Sequence, residues 1–109
     1  MMSSAPTPDP AGIPALQDAI RHMHGVESRF IEWQVVSDTF QGKIVFERTV
    51  GIFEVIAHPA TTRAYAWSDP ATLSSKARRF FAVLQLPPFL SALSAVRGSI
   101  VAGARGRNS

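Results

Sequence analysis

The chain has 109 residues, of which 46% are hydrophobic and 17% charged, with a formal net charge of +3. This length fits a single domain, and this balance of apolar and charged residues excludes an intrinsically disordered or membrane-embedded chain. The absence of cysteine excludes disulfide frameworks and cysteine-based metal sites, and without an apolar run of ~18 residues or a secretion signal we expect a cytoplasmic protein with no membrane partner and no cofactor.

The first predicted helix follows a proline-rich start. Residues 1–12 hold three of the eight prolines and show no apolar periodicity, which predicts a disordered leader before a single domain that spans residues 13–102. Apolar residues at steps of three, four and three then share one helix face: Ile13, Leu16, Ile20 and Met23. Pro14 suits the first helical turn and Gly25 the position just past the end, so the helix has about eleven residues.

Two long extended segments come next. Alternating polarity predicts a strand over roughly 28–38, a turn at Gln41-Gly42 and a return strand from Lys43 to Ala57. Along the return strand the large apolar residues move from even to odd positions: Ile44, Phe46 and Val50, then Phe53 and Val55. Because a one-residue change of face at a glycine is typical of a β-bulge, we expect a bend or bulge at Gly51.

The second half of the chain supplies two more strands and a helix. A turn at His58-Pro59-Ala60 leads into a strand from Thr61 to Ser68, and after a polar loop another strand runs from Arg78 to Leu86. Apolar residues at steps of four, three and four then predict a helix over roughly 89–102: Phe89, Leu93, Val96 and Ile100. We expect residues 103–109 to form a disordered basic tail.

This order of elements, α-β-β-β-β-α, predicts an α+β fold. Hairpin-length connections favour an antiparallel four-stranded meander, and both helices are expected to pack on one face of it. The other face would expose Phe30, Val45 or Ile52, and such an apolar face is typical of a dimer surface. The leading hypothesis is therefore a small non-enzymatic interaction domain that forms a homodimer through this face or through an edge strand.

The strand from Thr61 to Ser68 carries the clearest binding pattern. Arg63, Tyr65 and Trp67 alternate along it and share one face, with Arg79 on the neighbouring strand. Aromatic rings interleaved with arginine form stacking platforms for bases or small planar ligands. Alternatively, both rings belong to the core under the helices, and Arg63 reaches solvent from its rim.

A second hypothesis is weak nucleic-acid binding, because basic residues dominate the last third of the chain. From Lys76 onward there are six basic residues and no acidic one, whereas the residues before it include eight acidic and five basic ones. Such a bias attracts phosphate or an acidic partner, or it only keeps the surface solvated. The residues concerned are Arg63, Arg78, Arg79, Arg97 and the tail.

Catalytic and metal sites have no recognisable motif in this sequence, and we assign no residue to either. Neither a G-x-S-x-G nucleophile elbow nor a glycine-rich phosphate loop is present. His22 and His24 are two residues apart, about 200° around a helix, so they do not share a metal. His58, next to Pro59, is either a turn residue or part of a small-ligand or enzymatic pocket between sheet and helices, which is the third hypothesis.

In outline, the element order over residues 13–102 resembles the double-stranded-RNA-binding domain. That family places a lysine cluster at the start of its last helix and a histidine in the loop after its first strand. Here the helix begins Pro87-Pro88-Phe89 and His58 follows the second strand, so the RNA-binding residues do not carry over. The segments HGVESRFIEW, RAYAWSDP and AVR are similar to segments of short bacterial proteins of unknown function. That similarity implies a folded domain and no particular chemistry.

Overall fold

Four antiparallel strands form one sheet, and two helices pack on it. The structure is a computed structural model that describes residues 7–71 and 77–107, with side chains described as far as residue 100. Its elements are α1 (Ile13–His24), β1 (Glu27–Phe40), β2 (Lys43–Ile56), β3 (Arg63–Pro70), β4 (Arg78–Leu84) and α2 (Ala92–Arg107). The strands lie in the order β1-β2-β3-β4, which confirms the α+β class, the antiparallel meander and the order of elements. Within the described ranges, neither helix has the length and hydropathy needed to cross a bilayer.

Helix α1 begins and ends where the local signals predict. Pro14 occupies its first turn, and Gly25 adopts a φ of 70° just past its end. The N–H of Gly25 donates to the carbonyl of Arg21 at 2.8 Å and so closes the last turn. Leu16 and Ile20 are fully buried, which confirms the centre of the apolar stripe.

The two helices lie on opposite faces of the sheet. On β3, Ala64 and Ala66 belong to the hydrophobic cluster of α1, whereas Tyr65 and Trp67 belong to the cluster of α2. Because successive side chains on a strand point to opposite faces, the helices cannot share one. The prediction that both helices pack on one face is therefore wrong. An amphipathic stripe shows that a helix needs an apolar partner, but not which face of the sheet supplies it.

The face that was expected to remain uncovered is largely buried as a result. Ile52 lies in the cluster under α2, and Phe30 packs against the cluster under α1. Of the three residues predicted for that face, only Val45 is exposed.

Strand β2 runs without interruption through Gly51, so the bulge predicted there is wrong. Its register with β3 is regular from Gly51 to Glu54. The bulge lies instead on β1. Phe30 and Glu32 pair with consecutive residues of β2, so Ile31 between them is the extra residue.

The change of hydrophobic phase along β2 marks the point where both faces become buried. Val50 packs under α2, whereas Phe53 and Val55 pack under α1. Gly51 is required for another reason than a bulge, since a Cβ there would lie 2.6 Å from Cε1 of Phe53 and 3.3 Å from Cζ3 of Trp33. The glycine makes room for two aromatic rings on the face of α1.

Several element boundaries differ from those predicted. β3 continues to Pro70, β4 ends at Leu84, and α2 starts at Ala92 and runs to Arg107, through most of the segment predicted as a disordered tail. Residues 7–12 are held against the sheet by the buried Asp9, so the predicted leader extends too far into the domain. Residues 1–6, and residues 72–76 of the predicted loop, lie outside the described ranges.

The β1–β2 hairpin extends beyond β3. The pairing of β2 with β3 covers only Gly51–Glu54, and from Lys43 to Val50 strand β2 pairs with β1 alone. Residues 34–50, joined by a turn in which Gln41 and Gly42 both have positive φ, are called here the projecting hairpin. Val36 and Phe46 bury one of its faces in the cluster of α2.

Candidate functional site

Tyr65 and Trp67 lie in the core under α2, as the second interpretation of their pattern predicts. Trp67 is 1% exposed and stacks on Phe81, with ring centroids 5.1 Å apart and planes inclined by 13°. Tyr65 reaches the edge of the core, where its hydroxyl donates to the carbonyl of Leu90 at 3.2 Å and accepts from Nε2 of Gln85 at 2.8 Å. Neither ring offers a free face on which a base could stack.

Arg63 and Tyr65 do share a pocket, on the face of α2 at the start of that helix. The pocket has a volume of about 260 Å³. We call it the Arg63 pocket, and its lining residues are Glu32, Gln34, Ile52, Arg63, Tyr65, Gln85, Leu90, Ser91 and Ala92. Most of these side chains are polar, which sets the pocket apart from the apolar core beside it.

The three histidines have different surroundings, and two of them make hydrogen bonds within the fold. Nδ1 of His58 accepts the N–H of Ala60 at 3.0 Å, so His58 organises the turn between β2 and β3. Nε2 of His24 lies 2.7 Å from the carbonyl oxygen of Ala82 and ties the end of α1 to β4, whereas His22 is exposed. Within the described residues, no three histidine or carboxylate side chains converge on a point where a metal could bind.

Arg78 and Arg79 are adjacent in sequence but point to opposite faces of β4. Nε of Arg78 donates to Oγ of Ser68 at 2.7 Å, and one of its terminal nitrogens donates to the carbonyl of Ser68 at 2.9 Å. Arg79 is exposed and pairs in register with Asp69. The structure therefore brings neither residue to Arg63, which lies at the other end of β3.

Ion pairs neutralise four other arginines. Nε of Arg97 lies 2.8 Å from Asp38, and Nε of Arg48 lies 2.8 Å from Asp69. Two further arginines pair with carboxylates at the surface: Arg21 with Asp18 and Glu27, and Arg29 with Glu54. Hydrogen bonding to Arg97 lowers the pKa of Asp38, and hydrogen bonding to Arg21 lowers the pKa of Glu27. Half of the eight lysine and arginine side chains that the structure describes are thus balanced locally by a carboxylate.

Asp9 is a buried carboxylate in a cleft, and the sequence motifs did not predict it as a candidate site residue. It is 5% exposed and lines a cleft of about 680 Å³ at the place where β2 and β3 separate. Its carboxylate accepts the N–H and the hydroxyl of Ser68 at 2.8 and 2.5 Å, and the N–H of Ala11 at 2.9 Å. The bond to the residue two positions ahead is an Asx turn, which Asp between prolines at positions 8 and 10 could have indicated.

The projecting hairpin carries the largest group of exposed apolar side chains in the described chain. Val35 and Val45 point away from α2 and are 45% and 62% exposed, while Phe40 and Ile44 flank the turn and are 67% and 63% exposed. Lys43 is the single charged residue among positions 39–46. The tip of this hairpin is therefore apolar and nearly uncharged.

No family model, no curated protein and no solved structure matches this chain.

Proposed function

We propose that the protein is a small non-enzymatic interaction domain of the cytoplasm that forms a homodimer through the projecting hairpin. The observation that carries this proposal is the exposure of Val35, Phe40, Ile44 and Val45 on one ribbon. Apolar groups gathered in one place on a surface favour association, because burying them removes apolar area from water at ~25 cal/mol per Å².

The backbone of the ribbon supports a second copy as the partner. β1 is an edge strand, and β2 has no described strand neighbour on its other side before Gly51. Two-stranded ribbons are marginally stable alone, and edges of this kind pair readily with another strand. A two-fold axis across the hairpin brings like edges together, which satisfies the self-complementarity that a homodimer requires.

The charges near the tip are compatible with the same arrangement. Lys43 begins β2 at the tip, and Glu47 lies four residues further along. When two hairpins lie antiparallel across a two-fold axis, the lysine of one copy approaches the glutamate of the other. Neither residue has an ion-pair partner within the described chain, so each is available.

Nucleic-acid binding is a weaker alternative because the arginines do not form a continuous basic surface. Arg48 and Arg97 are held by carboxylates and Arg78 by Ser68. Arg63 and Arg79 remain available, but they lie at opposite ends of the β3–β4 pair. Binding to a phosphate backbone needs several cations along one path, so this pattern favours the interaction domain.

The contacts of Ser68 support a non-enzymatic role. Its hydroxyl donates to Asp9 and accepts from Arg78, so both its proton and a lone pair are engaged within the fold. A nucleophilic serine needs a base that can take its proton, usually a histidine. The three histidines lie elsewhere, in α1 and in the β2–β3 turn.

Light scattering coupled to size-exclusion chromatography tests the proposal. We expect twice the mass of the chain at high protein concentration and dissociation on dilution. The double variant Ile44→Asp/Val45→Asp should remain a monomer, because it places like charges across the interface. Leu90→Asp is the matched control, since Leu90 is 60% exposed but lies outside the hairpin. A wild-type protein that stays monomeric contradicts the dimer, and a dimer unaffected by the double variant contradicts the hairpin interface.

A further inference from the structure

The Arg63 pocket contains two opposite charges without a partner in the described chain. Among the described residues, the guanidinium of Arg63 donates only to the adjacent carbonyl of Thr62, at 3.4 Å, and Glu32 makes no ion pair. On the same face of the sheet, Glu54 lies in register with Arg63 but forms its ion pair with Arg29. Glu32 and Arg63 stand on β1 and β3, with β2 between them, and so face the pocket from two sides.

An ordered polar network forms one wall of this pocket. Gln85 donates from Nε2 to the hydroxyl of Tyr65 at 2.8 Å and to the carbonyl of Leu90 at 3.3 Å. The hydroxyl of Tyr65 donates in turn to Leu90, and its ring is held in the core. Since Nε2 is fixed by two acceptors, the carbonyl oxygen of Gln85 is oriented as well and remains available as an acceptor.

The first turn of α2 adds a weak positive potential to the pocket. Ser91 and Ser94 cap this turn reciprocally through their hydroxyl groups, and Ala92 lines the pocket. The free N–H groups of a helix start favour negative charge. A carboxylate is therefore best placed beside Arg63, and an ammonium group beside Glu32.

We propose that the Arg63 pocket binds a small zwitterion, a free α-amino acid. In this arrangement Arg63 receives the carboxylate, Glu32 the ammonium group, and the carbonyl of Gln85 a further N–H. The volume of about 260 Å³ lies just below the range of ~300–1,000 Å³ for drug-sized ligands, which suits a molecule of this size. This proposal does not depend on dimerisation, and the two can fail separately.

The test uses two-dimensional amide NMR of the full chain, titrated with each proteinogenic amino acid in turn. We expect at least one of them to shift the amides of Arg63, Gln85 and Ala92 in a saturable manner. Amidation of its carboxylate and acetylation of its amine should each weaken binding about tenfold or more, because each removes a charge-assisted hydrogen bond.

Three variants separate this site from a general surface effect. Arg63→Gln and Glu32→Gln should each weaken binding about tenfold or more, whereas Arg79→Gln, which removes an exposed arginine on β4 at the far end of the β3–β4 pair, should leave it unchanged. Glu32 is exposed, so Glu32→Gln remains informative even if Arg63→Gln does not fold. The proposal is overturned if no amino acid shifts these amides, or if binding survives in both Arg63→Gln and Glu32→Gln.

Discussion

The carboxylate of Asp9 occupies the position of a strand neighbour for Ser68. It accepts the backbone N–H of Ser68 at 2.8 Å and its hydroxyl at 2.5 Å, at the point where β2 has already separated from β3. Both residues are about 95% buried, so these donors would lack a partner without Asp9. The contact fastens the segment before α1 to the sheet.

Replacing Asp9 should therefore destabilise the fold more than an ordinary surface substitution. We expect Asp9→Ala to lower the free energy of unfolding by about 2–3 kcal/mol, because it leaves two buried donors of Ser68 unsatisfied. Urea denaturation measures this. Asp18→Ala, which removes an exposed carboxylate in a surface ion pair, should cost less than about 1 kcal/mol. If both variants lowered the free energy of unfolding equally, the contact between Asp9 and Ser68 would contribute no more to stability than a surface ion pair.

Gly98 should resist the substitution that usually stabilises a helix. Replacing an interior helical glycine by alanine gains about 1 kcal/mol from propensity. Here the new Cβ would lie 2.5 Å from Cε1 of Phe89, and overpacking costs about 1–3 kcal/mol. We expect Gly98→Ala to lower the free energy of unfolding by about 1 kcal/mol, as measured by urea denaturation.

A smaller residue at position 89 provides the check on that explanation. In a Phe89→Leu background the clash is relieved, so Gly98→Ala should become neutral or stabilising. A stabilising effect of Gly98→Ala in the wild-type background would instead mean that Phe89 moves aside freely.

The two histidines of α1 form a matched pair for testing the link to β4. His24 lies 2.7 Å from the carbonyl oxygen of Ala82, so Nε2 must carry the proton and donate it. We expect His24→Ala to cost about 1 kcal/mol and to speed hydrogen exchange of the β4 amides. His22→Ala, at an exposed site two residues earlier, should change neither the free energy of unfolding nor the exchange of the β4 amides. The link is refuted if both variants leave β4 exchange as it is in the wild type.

The ion pair of Asp38 and Arg97 joins the projecting hairpin to α2 and should be visible in a pH titration. Hydrogen bonding and the charge of Arg97 hold the pKa of Asp38 below its ordinary value of 3.8. The pair therefore contributes to stability above that value, and the contribution is lost as the pH falls through the lowered pKa of the folded state. Carbon NMR of the Asp38 carboxyl group should show this low midpoint.

Arg97→Gln removes the cause of that shift and should return the Asp38 midpoint toward 3.8. Arg79→Gln, which also removes a cation but leaves this pair intact, should not. An unchanged midpoint in Arg97→Gln would assign the low pKa to another group.

Short-range signals predicted the elements well because they act within a few residues. Pro14 and Gly25 bound α1, and Gln41-Gly42 forms the turn of the hairpin, since each depends on backbone conformations that these residues adopt easily. The placement of the helices is a long-range property. Ala64 and Ala66 form the surface on which α1 packs, and no signal within a few residues of them identifies that helix as their partner.

The candidate sites were harder to predict because burial decides them. Tyr65 and Trp67 have the same spacing whether they face solvent or the core, and the structure places them in the core. Asp9 sits among prolines in a segment whose composition indicates disorder, and only its contact with Ser68 reveals its role. The charges of Glu32 and Arg63 are far apart in sequence, so no local pattern connects them.

The placement of α1 and α2 on opposite sides of the sheet also affects how the chain folds while it is being synthesised. α1 precedes the strands, so its side of the sheet can close as soon as β4 has left the ribosome. The side of Trp67 and Phe81 stays bare until α2 has emerged as well. In nascent chains halted between β4 and α2, the indole of Trp67 should therefore be exposed to water. Such chains should bind chaperones that recognise aromatic surfaces, whereas chains that include α2 should not.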